Sequence, residues 1–205
     1  MTKTITRLFD DYTDAGNAVR DLEAAGISHD DISIVANNTY GEHAGHEGVN
    51  DHGDVTRGVS TGAAVGGVGG LLAGLGLLAI PGLGPIVAAG WLAATAVGAG
   101  IGAAGGAATG GIVGALKNSG HSDEEANVYS EGVRRGGTLV SVRVDHADIS
   151  TAQAILDRNR SVTAATRGAA YRETGWTRFD ADAAAYTPEQ ITRDREAYRT
   201  PVSTL

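Results

Sequence analysis

The sequence predicts an α+β domain that is interrupted by a long helical hairpin and followed by a helical tail. Alternating apolar residues and helical spacings give the order strand–helix–strand on each side of the interruption. The interruption, residues 58–116, contains no charged residue and carries two ladders of glycine at intervals of four. The paired β–α–β patterns therefore predict the domain, and the ladders predict the hairpin.

The first half of the domain, residues 1–38, has one strand on each side of a helix. TITRLF at residues 4–9 suits a short strand. Asp14 then precedes AGNAVRDLEAAG, in which apolar residues recur at helical spacing before Gly26 closes the helix. DISIVANN follows and alternates apolar and polar residues, as a half-buried strand does.

The second half lies within residues 118–170 and repeats this order. TLVSVRVD predicts a strand, ADISTAQAILDRN a helix and SVTAATRG a weaker closing strand. Two such halves packed together form the ferredoxin-like plan, a four-stranded antiparallel sheet with two helices on one face. Two unrelated β–α–β fragments, or a parallel sheet, are the alternatives.

One further helix, SDEEANVYSEGVRRGG, precedes the second half. Ser122 with Glu125 three residues later predicts a capping box. Arg134 and Arg135 stand at the end of this helix, where positive charge complements the helix dipole. The same two arginines beside a membrane could hold an anionic headgroup, although two side chains are too few to define a lipid site.

The ladders are the features that we interpret as a self-association surface. Glycine costs a helix roughly 0.5–1 kcal/mol relative to alanine, so repeated glycines need a packing gain in return. A stripe without side chains lets another backbone approach closely. The predicted contact glycines are Gly58, Gly62, Gly66, Gly70 and Gly74 in the first ladder, and Gly98, Gly102, Gly106, Gly110 and Gly114 in the second.

Pro81 and Pro85 bracket the predicted turn between two helical arms, roughly residues 59–80 and 85–117. Each arm is long enough for a membrane span, and Arg57 and Lys117 stand where interface anchors would. The tip IPGLGPI, however, has no polar residue to face water. Insertion into or association with a membrane, burial in a soluble homo-oligomer and intrinsic disorder are the three settings that the hairpin leaves open.

The linker, residues 39–57, holds histidines among carboxylates. His43, His46 and His52 together with the acids could bind zinc or nickel, but the interspersed glycines fix no ligand geometry. We therefore predict a hydrated linker and no metal site. The isolated His29, His121 and His146 are expected at the surface.

Composition and motifs argue against several function classes. The chain has no cysteine, which excludes disulfides and a thiol nucleophile, and its net charge of −8 disfavours nucleic-acid binding. GIGAAG at residues 100–105 matches a dinucleotide motif but falls inside a helical glycine–alanine run. We predict no catalytic residues, no cofactor and no enzyme activity. The N-terminus has no apolar run of signal-peptide length, so a cytoplasmic location, or the cytoplasmic face of the inner membrane, is expected.

The chain resembles the bacterial general-stress or heat-induced stress protein family. The resemblance rests on TRLFDDYTDAGNAVRDLEAAGISHDDISIVANN, the glycine-rich insertion and NSGHSDEEANVYSEGVRRGGTLVSVRVD, and it covers roughly residues 5–145. It implies a non-enzymatic protein raised under stress, with no established catalytic residues to transfer. The tail, residues 171–205, looks like that of many such proteins.

The tail contains a predicted helix, TPEQITRDREAYR, which begins at Thr187, Pro188 and Gln190. Its aromatic residues could dock on the core or on a neighbouring subunit, and a largely solvated tail is the alternative. Taken together, the sequence predicts a non-catalytic stress protein that self-associates through its hairpin at or in a membrane. A soluble homo-oligomeric regulatory module whose sheet binds a small ligand is the second hypothesis.

Overall fold

The computed structural model describes residues 2–40, 76–80, 82–95 and 111–199. In these ranges the chain is a mixed α/β structure built on one sheet, whose strands are β1 (Thr2–Phe9), β2 (Ile32–Asn37), β3 (Gly76–Ile80), β4 (Gly84–Gly90) and β5 (Thr138–Asp145). The strands lie in the order β1-β5-β2-β4-β3, and every neighbouring pair is antiparallel.

Helices cover both faces of this sheet. Those with described bounds are α1 (Tyr12–Ala24), α2 (Gly111–Asn118), α3 (Asp123–Arg134), α4 (Ile149–Arg158), α5 (Ala164–Glu173) and α6 (Pro188–Arg199). Helices α1 and α4 enclose one apolar cluster with the sheet, and α2, α3 and α5 enclose a second on the opposite face. Residues 29–31 form a 3-10 turn, and residues 91–95 are helical.

Except for the last strand of the second half, the predicted elements on both sides of the glycine-rich region are confirmed, with one change at a helix start. Helix α1 is capped by Asp11 rather than preceded by Asp14: the Asp11 carboxylate accepts a bond from the Thr13 backbone N–H at 3.1 Å. Helix α3 has the predicted capping box, in which the Ser122 hydroxyl accepts from the Glu125 N–H at 3.2 Å and the Glu125 carboxylate accepts from the Ser122 N–H at 2.9 Å.

The prediction of helix across the middle of the insertion is wrong. Residues 76–80 and 84–90 are strands, and Leu83 donates its backbone N–H to the Ile80 carbonyl at 3.0 Å across the turn. The chain does reverse near Pro85, although through a β-turn in which Gly82 has a φ of 75°. Short apolar runs bounded by glycine and proline fit strand and helix equally well in sequence, and the free edge of β2 decides between them. Pro81 falls outside the described residues.

The predicted closing strand over SVTAATRG is also wrong. A single antiparallel bridge between Leu8 and Val162 is the whole of its pairing with β1. Thr163 then caps α5, since its hydroxyl accepts a bond from the Thr166 N–H at 3.2 Å. A threonine before an alanine-rich stretch is a helix start, and that local signal outweighs the weak β pattern.

We predict that Gly90→Ala destabilises the domain far more than Gly26→Ala. Both glycines have positive φ, 87° and 91°, so both variants incur a similar backbone penalty of about 1 kcal/mol. At Gly90 a Cβ would also lie 2.3 Å from the Ile32 carbonyl oxygen of the paired strand, whereas at Gly26 nothing lies within 4 Å. Urea unfolding should show an additional loss of at least about 2 kcal/mol for Gly90→Ala. Equal losses in the two variants would contradict the close approach of β4 to β2.

Candidate functional site

The glycine ladders are the first candidate site, and Gly114 is their one member within the described residues. It lies in α2, whose inward residues Ile112, Ala115 and Leu116 are buried against the core. Gly114 is on the other side of the helix, and a Cβ added there would meet no atom of the described residues within 4 Å. Gly114, the last glycine of the second ladder, therefore faces away from the packed core. The remaining ladder glycines are not among the residues that the structure describes: Gly58, Gly62, Gly66, Gly70, Gly74, Gly98, Gly102, Gly106 and Gly110.

The strand pairing shows where each glycine-rich segment leaves the domain and where it returns. The first segment, residues 41–75, follows Tyr40 and precedes Gly76. Tyr40 lies near the turn end of the β3–β4 hairpin, because Asn38 donates its N–H to the Pro85 carbonyl at 2.8 Å. Gly76 pairs with Ala88 and so lies toward the opposite end of the hairpin.

The second segment, residues 96–110, connects the same two ends of the β3–β4 hairpin, but it starts at the open end and finishes at the turn end. It follows the helical residues 91–95, which start where Gly90 pairs with Ser33. Trp91 fixes that end by donating its indole N–H to the Asp31 carbonyl at 3.2 Å. The segment ends at Gly111, which lies beside Ile80 at the turn end. Both glycine-rich segments thus connect one end of the hairpin to the other, in opposite directions.

The described residues contain neither a membrane-spanning helix nor a cluster of metal ligands. No helix in that part of the chain is long and apolar enough to cross a membrane. No group of three or more potential metal ligands occurs there either. The histidine-rich stretch with His43, His46 and His52 lies in the gap between residues 40 and 76.

A second candidate site, which we call the arginine cluster, lies where the tail meets the domain. Its cations are Arg134, Arg135, Arg167 and Arg195, and its carboxylates are Asp10, Glu131 and Asp194. Helix α3 supplies Glu131 and Arg134, and Arg135 is its C-cap residue. The end of β1 leads to Asp10, α5 supplies Arg167, and α6 supplies Asp194 and Arg195. The cluster therefore joins four parts of the chain that are distant in sequence.

Glu131 is the most deeply placed charge of the arginine cluster. Its side chain is 0% exposed, and one carboxylate oxygen accepts from Arg134 at 2.9 Å and from Arg135 at 2.7 Å. Arg135 also donates to Asp194 of α6 at 3.0 Å. Burial by itself lowers the pKa of Arg135, but the bond to Glu131 and the nearby negative charges outweigh burial and raise it. The guanidinium is therefore a permanent cation held between two helices.

Aromatic rings cover the guanidinium groups. Arg135 lies 4.3 Å from the ring centroid of Tyr171, and Arg167 lies 4.3 Å from that of Tyr198. Tyr186 lies 5.0 Å from Arg134. Tyr186 and Tyr198 belong to the tail, so the predicted docking of the tail aromatics on the core is the alternative that the structure supports. Such cation–π contacts gain strength as water is excluded from them.

Helix α6 adds a small apolar anchor to these charged contacts. Ile191 is fully buried and packs against Gly136, where an added Cβ would lie 2.3 Å from the Ile191 side chain. Arg195 donates to the Gly136 carbonyl at 2.7 Å, and Tyr40 donates its hydroxyl to the Pro188 carbonyl at 2.5 Å. The Thr187–Gln190 helix start is confirmed, since each residue's side chain accepts from the other's backbone N–H.

His121 differs from the surface position that the sequence predicted. Its side chain is 10% exposed, and its Nε2 lies 2.7 Å from the Thr6 hydroxyl of β1. Thr6 in turn contacts Ser141 of β5 at 2.9 Å, so the histidine completes a partly buried chain of hydroxyl groups. Burial lowers the pKa of His121, and the nearby charge of Glu125 offsets this only in part.

Sequence reasoning found Arg134 and Arg135 but missed the other members of the arginine cluster. Asp10, Glu131, Arg167, Asp194 and Arg195 carry no motif and are separated by long stretches of chain. The available signal was weak: Glu131 lies three and four residues before the two arginines, which is the spacing for ion pairs on one helix face.

Searches among protein families, curated proteins and solved structures found no match to this chain.

We predict that His121 makes the domain less stable as the medium becomes acidic. Because the folded-state pKa of His121 is depressed, its contribution to stability is present above the ordinary histidine pKa of about 6.5. That contribution is lost as the pH falls from there through the folded-state value. Urea midpoints measured between pH 7.5 and 5 should fall more steeply for the natural chain than for His121→Gln, which does not titrate. Parallel pH profiles for the two proteins would show that His121 is equally protonated in the folded and unfolded states.

We also predict that Ile191→Asp releases α6 from the domain. Loss of a buried isoleucine side chain is worth about 2 kcal/mol, and a carboxylate placed against Gly136 adds to the penalty. Trypsin should then cleave within α6 at least about ten times faster, which mass spectrometry of timed digests would measure. Ala197→Asp adds the same charge on the exposed side of α6 and serves as the control. Equal cleavage rates in the two variants would mean that α6 does not depend on Ile191.

Proposed function

We propose that this chain is a non-catalytic protein of the bacterial stress response that self-associates through its two glycine ladders. The stress connection comes from the family resemblance of the sequence. The self-association is supported by the geometry at the ends of the glycine-rich segments, and we place the assembly in the cytoplasm or at the cytoplasmic face of the inner membrane.

The observation that carries the proposal is that both glycine-rich segments connect the same two ends of the β3–β4 hairpin in opposite directions. Two segments with shared end points and opposite directions are suited to lie side by side. The second segment has 15 residues, and a helix of that length measures about 22 Å. Strand β4 has seven residues and spans a similar distance, about 20 Å. A helical second segment would therefore fit between its end points without slack.

Gly114 supports a contact with something outside the described core. It continues the second ladder onto α2, and there the ladder side faces away from Ile112 and Leu116. An outward glycine at this position weakens the helix unless another backbone packs on it. A second copy of the chain, which carries the same ladders, is the partner that fits this surface.

The strand order supports the ferredoxin-like interpretation of the domain. The arrangement β1-β5-β2, with the Leu8–Val162 bridge on the outer side of β1, matches that plan with its last strand shortened to one residue pair.

The alternative function, a regulatory module that binds a ligand on its sheet, requires an open sheet face. Every residue of β2 is buried between helices on both faces, which favours the assembly proposal.

Strands β3 and β4 and the helical residues 91–95 belong to the sheet domain. They therefore cannot form part of two membrane-spanning helical arms over residues 59–80 and 85–117. Their placement divides the uncharged stretch into two shorter segments, each of which starts and ends at the domain. Contact between copies is the setting that this division favours. Peripheral contact with a lipid bilayer is a second setting, favoured by the absence of charge from residues 58–116.

The test is the double variant Gly66→Leu with Gly106→Leu, which places a large side chain at the middle of each ladder. In sedimentation velocity the natural chain should sediment as an oligomer, and most of the double variant should sediment as a monomer. Ala64→Leu with Ala108→Leu is the matched control, because it adds comparable bulk two positions away, on the other side of each predicted helix. Identical sedimentation of all three proteins would contradict the proposal.

A flotation assay with anionic phospholipid vesicles separates the two settings. If the ladders bind lipid, the natural chain floats with the vesicles and the double glycine variant does not. If the natural chain stays at the bottom of the gradient while remaining oligomeric, the ladders act between copies only.

A further inference from the structure

The arginine cluster lines a small, partly open cavity with space for about one water-sized molecule. The charged and phenolic residues that line it are Asp10, Arg135, Arg167, Arg195, Tyr171 and Tyr198. Three of these six side chains are guanidinium groups and one is a carboxylate. Leu8 and the backbone at Gly132 and Gly137 close the rest of the wall.

The single carboxylate at the cavity wall is paired with Arg167. Both oxygens of Asp10 accept from the same nitrogen of Arg167 at 2.6 Å. The other two carboxylates of the arginine cluster, Glu131 and Asp194, bind Arg135 and are not part of the wall. The cavity is therefore surrounded mainly by positive charge.

The arginine cluster as a whole has one more cation than anions. Four arginines stand against Asp10, Glu131 and Asp194, which leaves a formal charge of +1. The tyrosines cannot supply the missing negative charge, because burial raises the pKa of Tyr171 and of Tyr198. A buried charge without a counterion is costly, and cation–π contacts offset that cost only in part.

Hydrogen-bond donors are also in excess. The Nε–H groups of Arg195 and Arg134 are both buried and have no acceptor, and Arg195 lines the cavity. Arg134 is 8% exposed, so bulk water does not serve it. The Oε2 atom of Glu131 is the one buried acceptor of the arginine cluster that lacks a donor. Buried donors without acceptors are uncommon and indicate a missing partner.

We propose that this cavity binds one small monovalent anion of halide size, with chloride as the occupant in the cell. The anion balances the surplus charge and accepts from Arg195 and from the other guanidinium groups at the wall, in a space that is too small for sulfate or phosphate. Because Arg195 belongs to α6, Arg135 follows α3 and Arg167 belongs to α5, the bound anion also holds the tail helix on the domain.

The first test measures thermal unfolding of the full chain at constant ionic strength while sodium gluconate is replaced by sodium chloride. The midpoint of the natural chain should rise by about 3 °C as the site fills, because a ligand bound only by the folded state stabilises it. Arg195→Met removes a donor from the cavity and should abolish this rise. Arg193→Met removes the same charge from the exposed side of α6 and should leave the rise unchanged.

A direct measurement keeps the proposal testable if Arg195→Met fails to fold. Crystals of the natural chain soaked in sodium bromide should show one anomalous peak among Arg135, Arg167 and Arg195. Arg195→Lys, which retains the charge but loses the Nε–H, should weaken the chloride-dependent rise at least severalfold. A cavity that holds only water in bromide, or a midpoint shift equal in the natural chain and Arg195→Met, would overturn the proposal.

Discussion

The rest of the structure depends on the backbone hydrogen bonds of β2. All six of its residues are buried, so water is not available to its N–H and C=O groups and both of its edges need protein partners. Strand β5 pairs along one edge and β4 along the other. The first pairing joins two halves of the domain that lie a hundred residues apart. The second draws the middle of the glycine-rich region back into the sheet.

This second pairing determines what the glycine ladders can do. Because β4 is held between β2 and β3, the ladders cannot extend from the domain as one free hairpin. They belong to two shorter connections that share their end points, and Gly114 of the second ladder lies on the side of α2 away from the buried Ile112 and Leu116. The self-association that we propose would use these two connections next to the sheet.

The arginine cluster holds the tail helix on the domain at the turn between α3 and β5. The chain there must hold a tail helix that buries little aliphatic surface, since Ile191 is the one fully buried side chain among those described in α6. Charged groups do most of the docking, and aromatic rings exclude water so that each pair acts in a lower dielectric. The arrangement is specific because every guanidinium must meet a particular carboxylate, carbonyl or ring. Its surplus of donors is the feature that distinguishes it from an ordinary set of surface ion pairs.

The sequence by itself determined the elements that have strong local signals. The capping box at Ser122 and Glu125, the helical spacing after Asp14 and the β-branched run at residues 139–144 need only neighbouring residues, and each forms as predicted. The tertiary structure alone decided the rest. Residues 84–90 became a strand because a buried edge of β2 required a partner, and residues 76–80 pair with that strand in turn. Residues 164–173 became a helix because Thr163 caps it. The burial of His121 and the meeting of Asp10, Glu131, Arg167 and Asp194 depend on contacts between distant parts of the chain, for which a linear pattern carries no signal.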